Sequence, residues 1–267
     1  MPTIISLHIY PIKGMRGITL QSAQLEPEGF EHDRRWMLVD DAGTFISQRT
    51  HPELTMFISS IEGDLLTVAY KGSEIKIPID DLTGEHIDVS VFDDQMKATI
   101  VSDEASKWFS ERLNTSLRLV KVSSVTNRIK DFSKYVDTDQ KDTVVSFADG
   151  YPYLILSTAS MAQLNSKMDV DLDIDRFRAN IVVDTYHPHD EDSWKTIQIG
   201  DQHLLVIRPC ARCQVPTIDQ QTGQKGKQPN TALAGYRRDG NKVNFGMNGV
   251  SLTDGMVSVG DVIEVKD

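Results

Sequence analysis

LLTVAYKGSEIKIPI, residues 65–79, alternates apolar and polar side chains on both sides of Lys71–Gly72. A period of two with a glycine turn in its middle predicts a β-hairpin with one buried face. The same alternation recurs in TIISLHIYPI (3–12) and RRWMLVD (34–40), with a further turn at Asp41–Ala42–Gly43. Strands this short and frequent predict a barrel or strongly bent sheet rather than a regular βαβ series. SDEASKWFSERLNTSL (102–117) then changes to helical spacing. Ser102 is placed to cap it, acidic residues fill its first turn, and Ala105, Trp108, Phe109 and Leu113 form one apolar face.

Residues 122–146 read as an extended surface connection with some local order. Beyond it come ADGYPYLILS and an amphipathic helix over about 158–168 presenting Met161, Leu164 and Met168. DIDRFRANIVVD, TIQIGDQHLLVI and MVSVGDVIEV resume the β pattern, with tight turns expected at Gly200–Asp201 and Gly260–Asp261. The fold class expected is mainly β with accessory helices, as two β-barrel-like domains. The first is expected over 1–118, including the linking helix at about 102–117, and the second over 119–267.

Composition narrows the function. The chain has 267 residues, 39% hydrophobic and 25% charged, which suits a packed globular protein. No apolar run is long enough to span a bilayer, and the first residues lack the features of a signal peptide. Two cysteines make no disulfide scaffold, so a cytoplasmic setting is expected. A formal net charge of −11 argues against a nucleic-acid partner. Arginines nevertheless come in close pairs, Arg34 with Arg35, Arg176 with Arg178 and Arg208 with Arg212, a pattern suited to a small anionic ligand. There is no serine nucleophile elbow, metalloprotease helix motif or dinucleotide fingerprint.

Chemistry is expected at Cys210–Ala211–Arg212–Cys213. A thioredoxin-like pair would open a helix, whereas QVPTIDQQTG follows here. A structural zinc needs further ligands that the chain does not place nearby. Two buried thiols packing as small hydrophobes, or a single thiolate on a soft metal already held by a larger cofactor, both fit the spacing. Lys13 and Gly14 follow a strand-like run and could face an anion. Arg34 and Arg35, if on a strand, point to opposite sides. Arg176, Arg178 and Asn180 would share one strand face, suited to clamping a phosphate or heterocycle edge.

YPIKG, DRRW, FADGYPYLILS, RFRANIVVD, EDSW, RPCARCQVPTIDQQTG and the closing VSVGDVIEV together resemble the MOSC-domain molybdoenzymes. The match is to the branch with an N-terminal MOSC-associated β-barrel, which includes bacterial YcbX-like proteins and the mitochondrial amidoxime-reducing component. The resemblance implies a molybdenum cofactor, a pterin dithiolene with a phosphate tail. It implies that Cys213 supplies the protein thiolate to the metal, with Lys13, Gly14, Arg34, Arg178, Asn180 and Arg212 as cofactor contacts. Asp219, in the TxD motif, becomes a candidate near the substrate, and Cys210 is left without an assigned role. The implied activity is reduction of N-hydroxylated or N-oxygenated compounds such as amidoximes, hydroxylamines and N-hydroxylated nucleobases. YcbX-like proteins often carry a C-terminal ferredoxin domain, and this sequence has no further cysteines for one. Electrons are therefore expected from a separate ferredoxin or flavin-dependent reductase. The alternative is a non-catalytic cofactor-binding or sulfur-carrier module.

Overall fold

The computed structural model describes residues 1–266. The hairpin over 65–79 forms as its alternation predicts, Leu65–Tyr70 against Ser73–Pro78, with Lys71 and Gly72 both at positive φ in the turn. Ile58–Glu62 completes that three-stranded sheet. A second sheet of four strands orders Trp36–Val39, Arg118–Lys121, Asp94–Ile100 and His86–Val91. Helix α1, Asp103–Leu113, packs between the two sheets' apolar faces, with Ala105, Phe109 and Leu113 buried beside Phe57, Leu66 and Leu119. The Ser102 hydroxyl accepts from the Ala105 N–H at 3.2 Å, a cap worth about 1 kcal/mol.

The largest sheet has nine strands and curls into a half-barrel. Thr3–Ile9 lies beside Ile181–Asp184, then Tyr153–Ser157, Lys242–Ser251, Gln202–Ala211, Thr196–Ile199 and Ile263–Lys266 follow. The sheet bends back on itself: Thr3 bridges Val262, and the Ile4 N–H donates to the Asp261 carbonyl at 2.9 Å. Ile4, Leu7, Tyr153, Ile155, Val183 and Leu204 fill its interior. Tyr153–Ser157 and Ile181–Asp184 run parallel, a pairing that requires a crossover. Helix α2, Thr158–Asn165, begins that crossover and seals the outer face with Met161 and Leu164.

Strand pairing does not follow a division of the chain at 118/119. Thr3–Ile9 joins Ile181–Asp184, and Ser22–Leu25 pairs with Gly255–Ser258, so the start of the chain is woven into the sheet built by its second half. Three local expectations change. Residues 122–146 contain the hairpin Ile129–Asp131/Asp142–Val144, anchored by fully buried Phe132 and by Arg128. The RFRAN segment is not a strand: Ile174–Phe177 is a 3-10 turn and Arg178 caps it at φ 56°, so the strand starts only at Ile181. A third helix, α3 at Asn230–Tyr236, was hidden by its shortness and by Gly235. Among the described residues no helix is long and apolar enough to cross a membrane.

Gly43 adopts φ 77° where its turn passes the strand His86–Val91, and a Cβ there would run into the Asp88 carbonyl oxygen. Gly43→Ala is expected to lower unfolding free energy by about 2 kcal/mol or more, read from urea denaturation.

Candidate functional site

A cleft of about 320 Å³ opens between the half-barrel and the N-terminal sheets. Lys13, Arg34, Arg49, Arg178, Arg208 and Arg212 line it, against one lining carboxylate, Asp149. In a protein of net charge −11, this is a strongly cationic recess.

Backbone irregularity aims these groups inward. A regular strand would present only alternate residues, yet Arg208, Cys210, Ala211, Arg212 and Cys213 all border the cleft. Register shifts between Val206 and Arg208 and between Pro209 and Ala211 break the alternation, and the strand ends at Ala211. Gly14, at φ 87°, turns the chain directly after Lys13, in a conformation that a side chain would strain. Arg34 and Arg35 do diverge. Arg34 pairs with Asp33 at the cleft, whereas Arg35 pairs with Glu26 at 2.5 Å and Glu28 at 2.7 Å.

Lys13 Nζ donates to the Phe147 carbonyl at 2.7 Å and pairs with Asp149. Burial lowers the Lys13 pKa, and the Asp149 charge opposes that fall. The Asp149 side chain keeps 62% of its surface open, but onto a walled cleft rather than bulk water. Desolvation alone would raise its pKa; Lys13, with Arg34 and Arg178, outweighs it and brings the carboxyl down to about 2. Asp149 is therefore an ionised acceptor at neutral pH, not a stored proton.

Arg34 donates to Asn180 Oδ1 at 2.9 Å and to the Arg178 carbonyl at 3.1 Å. Arg178 donates to the Met15 carbonyl at 2.6 Å, and burial brings its pKa down to about 10, leaving it charged. Asn180 borders the cleft, but its amide is committed to protein: it accepts from Arg34 and the Leu154 N–H and donates to the His8 carbonyl. Arg212 donates to Cys210 Sγ at 3.0 Å and to the Phe177 carbonyl at 2.8 Å. Cys213 is exposed at the cleft edge, its Sγ 3.5 Å from the Val215 N–H. No α-helix opens behind the cysteines; a 3-10 turn, Val215–Thr217, follows them. Among the described residues, no cluster of three or more His, Cys, Asp or Glu side chains is arranged to hold a metal ion.

Lys13, Gly14, Arg34, Arg178, Asn180, Arg212 and Cys213 thus come together around one space. Asp219 does not join them. Its Oδ1 accepts from the backbone of Gln221 and Thr222 and from the Thr222 hydroxyl, and its Oδ2 pairs with Arg176 at 2.5 Å. Its carboxylate closes a turn and ties the loop after Cys213 to the 3-10 turn at Ile174–Phe177, outside the residues that line the cleft. Arg176, released from the strand expected for it, is taken up by the same pair. Sequence reasoning missed Asp149, Arg49 and Arg128. Arg128 is 3% exposed and donates to the Ser146, Ala148 and Asp149 carbonyls, so it shapes the loop that supplies Lys13 with both its partners. Its isolated place in a polar stretch carried no signal; the close pairing of cationic residues elsewhere did.

Arg128→Leu leaves those carbonyls without their donor and is expected to destabilise the protein by about 3 kcal/mol, measured by chemical denaturation. A depressed carboxyl stabilises the fold above its unfolded pKa, near 4, and loses that contribution as pH falls towards about 2. The Asp149 carboxyl resonance is therefore expected to titrate near pH 2 by NMR, and Asp149→Asn to flatten the stability profile between about pH 4 and 2.

Comparison with known proteins agrees with this architecture. Residues 1–116 match the MOSC N-terminal beta barrel domain, and residues 142–264 match the MOSC domain. Mitochondrial amidoxime reducing component 2 of Bos taurus is 30% identical over 243 residues, covering 88% of this chain and 72% of that protein. Mitochondrial amidoxime-reducing component 1 of Homo sapiens is 28% identical, covering 98% of this chain and 82% of that protein. Molybdenum cofactor sulfurase of Oryza sativa subsp. japonica is 29% identical over 91% of this chain, which spans only 32% of that protein's length. The two domain matches, in this order, and the bovine relative establish that the chain belongs to the MOSC-domain family of molybdenum-cofactor-related proteins.

Proposed function

We propose that the protein is a molybdenum-cofactor-dependent oxidoreductase that reduces N-hydroxylated or N-oxygenated compounds, with electrons from a separate donor protein. The observation that carries this reading is the meeting of Cys213 with six basic side chains in one cleft. The donor set fits a pterin cofactor with a phosphate tail. Arg178, Arg208 and Arg212 form no ion pair with a carboxylate among the described residues, and the buried Nε atoms of Arg208 and Arg212 lack an acceptor. A polyanion would supply what they lack.

In this reading Lys13, Arg34 and Arg178 hold the phosphate region, the Gly14 turn brings backbone close to it, and Arg212 contacts a further anionic edge. Asn180 acts through Arg34, whose guanidinium it orients. Cys213, whose Sγ accepts from the Val215 N–H at 3.5 Å, would supply the protein sulfur ligand to the metal. When bound, the cofactor supplies two-electron reduction of an N–O bond, in which two electrons and two protons convert an N-hydroxyl group to N–H and water. The cleft residues position the pterin and exclude bulk water. Since Asp149 is ionised and Asp219 is engaged in its turn, neither stores the proton that the reaction consumes. The names of the amidoxime-reducing relatives support this reaction class, and a ferredoxin or flavin-dependent reductase is the class of donor it requires.

A second reading, a non-catalytic cofactor-binding or sulfur-carrier module, is favoured by the exposed Cys213 and by the similarity to molybdenum cofactor sulfurases. Protein produced in a cofactor-competent host and supplied with a chemical reductant separates the two. Wild type is expected to carry about one molybdenum per chain and to reduce an N-hydroxylated base, whereas Cys213→Ser loses activity by at least about a hundredfold. Molybdenum without turnover supports the carrier reading, and turnover retained in Cys213→Ser removes the proposed metal ligand. Cys210→Ser is expected to keep most of its molybdenum, since Arg212 retains its bond to the Phe177 carbonyl.

A further inference from the structure

Phe92 is in the wrong conformation for its chemistry. It is the first residue of the two-residue turn joining His86–Val91 to Asp94–Ile100, and its φ is 56°. Gly, Asn or Asp normally takes such a position, and a bulky side chain there is an outlier. The ring is not hidden as compensation, since 46% of Phe92 is exposed. It lines the same cleft as Cys213. Phe45 supports it edge-on, with centroids 5.0 Å apart at 68°. The Arg49 guanidinium lies 5.1 Å from the ring centroid and Lys13 Nζ 5.8 Å. Strained backbone that displays an apolar ring to an open recess is a pattern that recurs at ligand clamps.

Charge narrows the ligand. Lys13 is engaged by Asp149 and Arg34 by Asp33, whereas Arg49 has no carboxylate partner among the described residues. Among the described residues its only side-chain hydrogen bond is a long one to the Ser47 hydroxyl, at 3.5 Å. Arg49 also lies outside the set of cations assigned above to the cofactor. An aromatic face with a free guanidinium beside it suits a planar ring that carries an acidic group.

We propose that Phe92 and Arg49 form a substrate subsite for a planar heteroaromatic ring bearing a phosphate or comparable acid, as in a nucleoside monophosphate. Phe92 takes the ring face and Arg49 the acid. This rests on the reductase reading for the name substrate, but the binding itself needs no reduction, so the two can fail separately.

The test is calorimetric titration of the molybdenum-loaded protein with cytidine 5′-monophosphate, cytidine and ribose 5-phosphate, none of which has an N–O bond to reduce. The monophosphate is expected to bind about tenfold or more tightly than either fragment. Arg49→Gln is expected to bring the monophosphate down to the level of cytidine while leaving cytidine unchanged. Phe92→Asn is expected to weaken the monophosphate and cytidine by about tenfold. It should do so with unchanged molybdenum content and no fall in melting temperature, because Asn accepts positive φ; Phe92→Gly serves as the second variant. The proposal is overturned if the monophosphate binds no better than cytidine, if Phe92→Asn and Phe92→Gly leave binding intact, or if they release molybdenum, which would assign the ring to the cofactor. Binding as expected, with no turnover of N-hydroxylated bases, would retain the subsite and remove the reductase reading.

Discussion

Two guanidinium groups lie against the Tyr10 ring, Arg34 at 4.3 Å and Arg178 at 4.2 Å from its centroid. Its hydroxyl donates to the Ala179 carbonyl, and burial pushes its pKa up to about 12, so it remains neutral. Two like charges near one another in a poorly hydrated place would separate or draw in water. A buried aromatic ring against both supplies attraction to each without adding a negative charge. Arg34 has the Asp33 carboxylate as a partner as well, whereas Arg178 has the ring and the Met15 carbonyl and no carboxylate among the described residues.

Around that ring, the polar partners are mostly carbonyls rather than acids. Phe147 accepts from Lys13, Met15 from Arg178, Phe177 from Arg212 and the 146–149 loop from Arg128. Carbonyl oxygens satisfy hydrogen-bond donors while leaving the formal charge intact. Two of these bonds join residues more than a hundred positions apart, as do the strand pairs of Thr3–Ile9 and Ser22–Leu25 with the far end of the chain. The cleft walls therefore cannot move far without opening the half-barrel itself. Such a rigid scaffold suits a site that must hold a large cofactor in one orientation.

The β character, the hairpin at 65–79, the capped helix near 102 and the closing strands were legible because each rests on local periodicity and turn chemistry. The RFRAN segment was not. Its alternation of Arg176, Arg178 and Asn180 imitates a strand, but Arg178 adopts a left-handed conformation and the two arginines part company. The surroundings of Asp219 were not legible for a related reason. A carboxylate next to a metal-type segment is chemically plausible as a catalyst, but its turn and Arg176 had already claimed both oxygens. Asp149 and Arg128 left no comparable trace, since each lies alone in a loop and acquires its importance from partners distant in the chain.

Sequence by itself determined the residue types available to the site: two thiols three positions apart, arginines in close pairs, and a lysine followed by a glycine free to turn. Those properties are local, and so are the dihedral preferences and hydrophobic alternation that built the strands. Only the tertiary structure decided which of these groups share a space and which charges stay unpaired. The bulges in Gln202–Ala211 and the left-handed turns at Arg34 and Arg178 set the directions of the cationic side chains, and a one-residue shift in a strand reverses which face a side chain occupies. The cysteine segment marked where chemistry could occur, and long-range packing set what surrounds it.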